Sequence, residues 1–377
     1  MEQPLAPYSV CNLAAVNLAQ FVNKETKTVD YEALKETVRV GVRMQDNVID
    51  ATPYFLPENQ KQALGERRVG LGVMGLADLL IYCEKEYGSE AGNQLVDEVF
   101  KTIAVAAYEE SIELAKERGS FPFLQGETEE QTEALRNAFI QTGFMKKMPE
   151  TIRQQILQHG IRNSHLLTVA PTGSTGTMVG VATGLEPYFS FTYYRSGRLG
   201  KFIEVKAEIV QEYLERHPNA SNEKLPHWFI SAMELSPEAH ADVQCIIQRW
   251  IDSSISKTVN APKGYTVGQV QKVYERLYQG GAKGGTVYVD GSRDSQVLTL
   301  KAEENAEEQL SFEQELGQEP AVRPVVLVDT IAPLGQTQVT IGSEVGNTCP
   351  VCRQGTVEEL GGCNTCTSCG AQLKCGL

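Results

Sequence analysis

Two groups of residues in this sequence have the types and spacing to do chemistry. The first is a set of six cysteines between Cys349 and Cys375, out of nine in 377 residues. Cys349-Pro350-Val351-Cys352 and Cys366-Thr367-Ser368-Cys369-Gly370 each place two thiols three positions apart. A tight turn of this kind directs two thiolates at one ion, and two such turns suit a tetrahedral zinc ribbon with four cysteine ligands. Cys349, Cys352, Cys366 and Cys369 are the expected ligands, which leaves Cys363 and Cys375 as a candidate redox pair. A second turn made by Cys363 and Cys366 satisfies the same geometry and stays open. So short a tail cannot build a core of its own, so the metal is expected to fold it.

The second group is the stretch Leu166 to Tyr188. Leu166-Leu167-Thr168-Val169-Ala170 reads as a buried strand stopped by Pro171. Thr172-Gly173-Ser174-Thr175-Gly176 then supplies two glycines and three hydroxyls just where a new apolar segment begins. A glycine-rich turn between a strand and a helix lets several backbone N–H groups point one way, with the helix dipole adding positive potential: a phosphate seat. No lysine follows a glycine at the Walker A spacing, so a nucleotide hydrolase of that type is excluded. A mere connection between two buried elements is the plainer alternative.

The elements that must hold these groups are legible in outline. Tyr31 to Ala51 is a helix with Asp30 as N-cap and Leu34, Val38, Val42 and Val48 among its apolar residues. Ser89 caps a long helix that Gly119 stops, and Thr128 to Gln141 and Thr151 to His159 read as two more. Phe189 to Arg195 reads as a strand or extended edge, and Val205 to Pro262 as mainly helical. Tyr265 to Gly281 is a helix and Thr286 to Val289 a short strand. The alternation points to an α/β architecture. Gly70, Gly72 and Gly75 match G-x-G-x-x-G, but the residues before them are too charged for a central parallel strand, so close packing competes with a dinucleotide site there. The five histidines have no ligand spacing and receive no role.

Composition limits the partners. The formal net charge is −14 and the apolar fraction 41%, which works against a nucleic-acid footprint; the tail itself offers only Arg353 and Lys374 against Glu358 and Glu359. No run of 18 apolar residues suggests a membrane span, and Met1-Glu2-Gln3-Pro4 lacks the basic start and apolar core of a signal peptide, so a cytoplasmic protein is expected. From Lys301 to Pro320 seven glutamates accompany one lysine, the composition of a solvated linker. Three parts are expected: 1–298, an acidic linker over 299–348 that reaches roughly 40 Å as a flexible coil, and the cysteine tail over 349–377. A small strand over Val325 to Val328 is a further possibility.

Arg162-Asn163-Ser164, APTGSTG over 170–176 and Gly184-Leu185-Glu186-Pro187 together resemble the substrate-phosphate region of the adenosylcobalamin-dependent, class II ribonucleotide reductases. EQPLAPYSVCNL over 2–13 resembles the segment after that family's active-site finger, and RRVGLGVMGLAD over 67–78, Asp252 to Thr258 and Asp290 to Arg293 resemble further stretches. The resemblance implies the second half of a ten-stranded α/β barrel and reduction of ribonucleotides by a thiyl radical generated from adenosylcobalamin. On the matching positions it implies Glu2 as base on the 3′-hydroxyl, Cys11 as one of two reducing cysteines, and Thr172 to Gly176 as the phosphate loop. The radical cysteine would lie two residues before Glu2, which implies a partner chain carrying the N-terminal half and an external dithiol or thioredoxin-like reductant. A chain acting alone would then be inactive. A non-catalytic zinc-ribbon protein on a reductase scaffold and a dinucleotide-dependent oxidoreductase using Gly70 to Gly75 are the alternatives.

Overall fold

Side chains that open helices act locally here. In the computed structural model, which describes residues 4–197, 200–218, 220, 224–292, 345–349, 352–360, 363–369 and 372–375, the Asp30 carboxylate accepts from the Ala33 amide at 3.0 Å. Ser89 does the same for Gly92 at 3.0 Å and Thr128 for Gln131 at 3.2 Å. Each satisfies a first-turn N–H that the helix leaves without a partner.

In chain order the first unit, Met1–Glu307, runs β1 (Asn12–Asn17), β2 (Val22–Asn23), β3 (Thr28–Val29), α1 (Tyr31–Ala51), α2 (Pro57–Glu66), β4 (Val69–Met74), α3 (Leu76–Tyr82) and α4 (Glu90–Arg118). It continues through α5 (Glu129–Ile140), α6 (Glu150–His159), α7 (Gly173–Met178), β5 (Thr192–Gly197), β6 (Gly200–Lys206), α8 (Glu208–Arg216), α9 (Pro237–Gln248), β7 (Thr258–Ala261), α10 (Val267–Gln279) and β8 (Thr286–Val289).

A parallel ladder crosses this unit. β1 pairs with β4, Asn12 opposite Val69 and Asn17 opposite Met74. Residues 166–169 come next: they are extended and fully buried, but they register only through the single parallel bridges Leu71–Leu167 and Val169–Ile255. The Leu71 amide donates to Leu166 O at 2.8 Å and the Ser256 amide to Val169 O at 2.9 Å, so the segment is bonded on both sides. β7 and β8 form the last parallel pair, Thr258 opposite Thr286. The core lies between this ladder and the helices, with Leu34, Val38 and Val42 of α1, Val69, Leu71 and Val73 of β4, and Ile103, Ala107 and Ile112 of α4 all buried. Val48 is 40% exposed, and Ile49 takes its place in the core. Toward the end of α1 the 3.6-residue repeat has rotated position 48 out of the buried stripe.

Val205 to Pro262 is less helical than its composition suggests. Among the described residues only α8 and α9 are helices there; those between them and after α9 are turns, bends and irregular segments, ending in β7. Pro218, Pro226 and Pro237 interrupt the amide supply a continuous helix needs.

The second unit, Glu308–Leu377, contains β9 (Val357–Leu360), β10 (Cys363–Cys366) and β11 (Gln372–Cys375) in an antiparallel sheet with β10 central. The acidic stretch 301–320 and the strand considered at 325–328 lie outside the described residues. No helix among the described residues is long and apolar enough to cross a membrane.

Candidate active site

Residues 172–176, the expected phosphate loop, follow the C-terminal end of the buried segment 166–169. Thr172 adopts a left-handed conformation, φ 49°, a costly state for a residue with a β-branched side chain. It is held there from two directions: its carbonyl accepts from the Gly176 amide at 2.7 Å, and its hydroxyl accepts from the Gly184 amide at 2.7 Å. α7 begins at the next residue. Gly173, Ser174 and Thr175 are exposed and Gly176 is buried. The first-turn amides of α7 have no acceptor within the helix, so they present donors and the positive end of a short dipole to the surface.

An aspartate that sequence reasoning passed over fixes the far side of this loop. Asp78, in the first turn of α3, is 2% exposed and accepts from the Ala182 amide at 2.8 Å and the Tyr188 hydroxyl at 2.6 Å. Burial raises its carboxyl pKa, partly offset by these two donors. Asp252 serves the preceding segment, accepting from the amides of Leu166 (2.7 Å) and Leu167 (3.0 Å) and from Tyr108 Oη (2.8 Å). An acidic residue beside an apolar run was the available signal for each.

Cys11 sits just before β1 and is half-buried. Its surroundings explain the G-x-G-x-x-G pattern. A Cβ on Gly70 would lie 2.7 Å from Cys11 Sγ, 2.8 Å from Leu13 Cδ2 and 2.9 Å from Thr168 Cγ2; one on Gly72 would lie 2.5 Å from Thr168 O. Both glycines lie inside β4 rather than in a turn after it, and they let β1 and residues 166–169 close on β4 with room for the thiol. Only Gly75, at φ +74°, makes a turn. Cys11 also lines a cleft of about 320 Å³ with Val10, Tyr54, Phe55, Asn59 and Arg68. Cys11 precedes its strand whereas the loop 172–176 follows its own, so the two belong to opposite ends of the ladder. Glu2 lies outside the described residues.

The histidines stay unassigned as ligands. His165 Nδ1 is 3.1 Å from Ser164 Oγ, and His240 Nε2 is 2.9 Å from Ala232 O. Burial lowers the pKa of both.

In the second unit one ligand atom from each of Cys349, Cys352, Cys366 and Cys369 lies within 4.8 Å of the others. Amides aim at these sulfurs: Gly355 N is 3.4 Å from Cys352 Sγ, and Ser368 N and Cys369 N are each 3.4 Å from Cys366 Sγ. Hydrogen bonds from the backbone at Gln354 and Gly355 bring the Cys352 thiol down to about 6, and that from Cys369 lowers Cys366. Thiolates held this way are the donor set a soft divalent ion requires, so the four residues fit zinc. The register of β10 and β11 places Cys363 opposite Cys375.

Comparison with known proteins agrees with this architecture. The family model for the ribonucleotide reductase barrel domain matches residues 1–288. The chain is 33% identical over 319 residues to the vitamin B12-dependent ribonucleoside-diphosphate reductase of Mycobacterium tuberculosis, covering 80% of this chain and 41% of that protein. It is 31% identical over 316 residues to the protein of that name from Thermoplasma acidophilum, covering 79% and 38%, and 30% identical over 284 residues to a ribonucleoside-diphosphate reductase subunit alpha of Chlamydia pneumoniae, covering 66% and 26%. The chain therefore spans about two fifths or less of the length of these relatives. Given a match over most of its residues, the chain belongs to the ribonucleotide reductase family and carries that family's barrel domain.

Proposed function

We propose that this chain supplies the second part of a ten-stranded α/β barrel in a class II enzyme that reduces ribonucleotides to deoxyribonucleotides. The observation that carries the reading is the exposed amide seat of Gly173 to Thr175 on the same parallel ladder that gives Cys11 its glycine-lined space. Charge-assisted hydrogen bonds from such amides to substrate phosphates contribute about 1.5–3 kcal/mol each.

Glu2 takes the proton of the 3′-hydroxyl, as a positioned carboxylate can. Cys11 and a second thiol outside these residues deliver two electrons. The C2′–OH bond is replaced by C2′–H, water leaves, and the two thiols become a disulfide. Cys363 and Cys375 return that disulfide to thiols by exchange, which needs direct sulfur contact, and an external dithiol or thioredoxin-like protein reduces them in turn. The acidic stretch 299–348 is the tether, and zinc on Cys349, Cys352, Cys366 and Cys369 holds the ribbon together.

Adenosylcobalamin, when bound, supplies the radical. We assign it no ligand among the described residues. The N-terminal half of the barrel completes the site.

The test is deoxyribonucleotide formation from CDP and CTP, with adenosylcobalamin and a dithiol, by this chain alone and mixed with a class II N-terminal half. Turnover in the mixture, abolished by Cys11→Ser with the fold retained, is the expected result. A stable, zinc-loaded complex without turnover would sink the catalytic reading.

A further inference from the structure

The amide seat has almost no core of its own. α7 is six residues long, and of Thr172 to Gly176 only Gly176 is buried. One hold on the seat comes through the return limb, to which Thr172 is tied by the Gly184 amide and which Asp78 also holds at Ala182 and Tyr188. That limb is pinned at successive residues. Leu185 O accepts from the buried Tyr87 hydroxyl at 2.6 Å. Glu186 is held at both carboxylate oxygens, Oε1 by the Thr258 amide at 2.6 Å and Oε2 by Lys257 Nζ at 2.8 Å.

Lys257 is unusual in being wholly buried, its side chain 0% exposed. Its three ammonium protons have three acceptors: Glu186 Oε2, Thr258 O at 3.3 Å and His240 Nδ1 at 3.1 Å. His240 can accept at Nδ1 because its Nε2–H donates to Ala232 O at 2.9 Å. Burial, with the Lys257 ammonium second, lowers the imidazole pKa to about 3 and keeps it neutral. A buried ammonium with every proton placed cannot release its carboxylate without leaving an uncompensated charge. Glu186 is therefore fixed, two residues from the amide that caps Thr172.

We propose that the buried Lys257 and the partly buried Glu186 form a clamp that positions the phosphate seat, with His240 completing the ammonium's shell. They are positioning residues: neither touches substrate, and both act by keeping the amides of Gly173 to Thr175 aimed before phosphate arrives. The inference rests on the reading of 172–176 as the phosphate seat.

The experiment compares wild type, Glu186→Gln and Lys257→Met as full chains. Hydrogen exchange is followed by mass spectrometry in peptides covering 171–187, and KM and kcat for CDP are measured in the reconstituted enzyme. Expected is at least a tenfold faster exchange confined to 171–187, together with a KM raised about tenfold and a kcat within twofold of wild type. Glu186→Gln, which keeps a neutral acceptor for Thr258 and Lys257, decides the matter should Lys257→Met fail to fold. Unchanged exchange at 171–187 in a folded variant overturns the clamp. Exchange that rises across the whole unit overturns it as general loss of structure, and a kcat that falls with KM unchanged overturns it because binding at the seat is then unaffected. Absence of turnover in the reconstituted wild type refutes the catalytic reading instead, and the exchange data still decide the clamp.

Discussion

The two units of this chain hold their chemistry in opposite ways. In the first, buried side chains anchor main-chain groups inside a large core: Asp252 takes the amides of Leu166 and Leu167, and Asp78 that of Ala182. In the second, the buried apolar cluster among the described residues consists of Cys349, Val357 and Cys366, with Cys352 packed against it. Three of those four are among the four residues proposed to bind zinc. A site supported by packing degrades a few kcal/mol at a time, whereas a site whose core is its own ligand set depends on the ion.

The sharpest way to break this contrast is to remove the proposed zinc. Structural zinc in small domains contributes about 10–16 kcal/mol of apparent binding free energy. Cys352→Ser, or a strong chelator, is expected to abolish stoichiometric zinc and to leave residues 345–375 without exchange protection. Peptides from β1, β4 and α4 should keep theirs. A ribbon that stays protected without metal would show that its small sheet folds unaided.

In the first unit the largest expected single-residue effect is steric. A methyl group on Gly72 would meet Thr168 O, a backbone atom that cannot swing aside, at 2.5 Å. Overpacking of this kind costs about 1–3 kcal/mol, and the rigid partner places Gly72→Ala at the upper end. Urea unfolding of the first unit should show the loss with zinc content unchanged. A variant as stable as wild type would mean that β4 and residues 166–169 are not as tightly apposed as the geometry implies.

A smaller effect distinguishes the units by pH. His240 has its pKa lowered from 6.5 to about 3 in the folded state, so its neutral form contributes stability that is complete above 6.5. That contribution is lost as pH falls from 6.5 toward 3. By pH 5 the loss amounts to about 2 kcal/mol at 1.36 kcal/mol per unit. His240→Gln should remove this part of the acid slope, measured by denaturant unfolding at pH 7 and 5. Asp78 works in the other sense: its raised carboxyl pKa gives stability that is present at low pH and lost as pH rises through the folded value. Equal slopes in wild type and variant would show that His240 is protonated as readily in the fold as outside it.

What could be read from sequence follows the range of the interactions concerned. Asp30, Ser89 and Thr128 act on amides three residues away, and their helices begin where the sequence places them. The four converging tail cysteines are likewise two local turns. Residues 166–169 are legible as buried but not as a segment held by two single bridges, since that depends on strands far along the chain. Glu186, His240 and Lys257 are separated by 17 to 71 positions, so no local pattern announces the clamp. The excess helix expected over 205–262 has the same origin: apolar residues there pack through turns fixed by tertiary contacts rather than by a 3.6-residue repeat.

The smallest expected stability effect is the most informative about ligand. Gly173 opens α7 without a left-handed φ, and a Cβ placed on it meets nothing within 4 Å. Unlike Gly72, it has no neighbour among the described residues that requires a glycine. Alanine should be tolerated and even stabilise the helix start by up to about 0.5–1 kcal/mol. A phosphate approaching the amides of Gly173 to Thr175 would meet that methyl group directly. Gly173→Ala is therefore expected to unfold no earlier than wild type in urea while raising KM for CDP about tenfold in the reconstituted enzyme. An unchanged KM would remove the steric argument for a ligand at this turn and return it to the role of a simple connection.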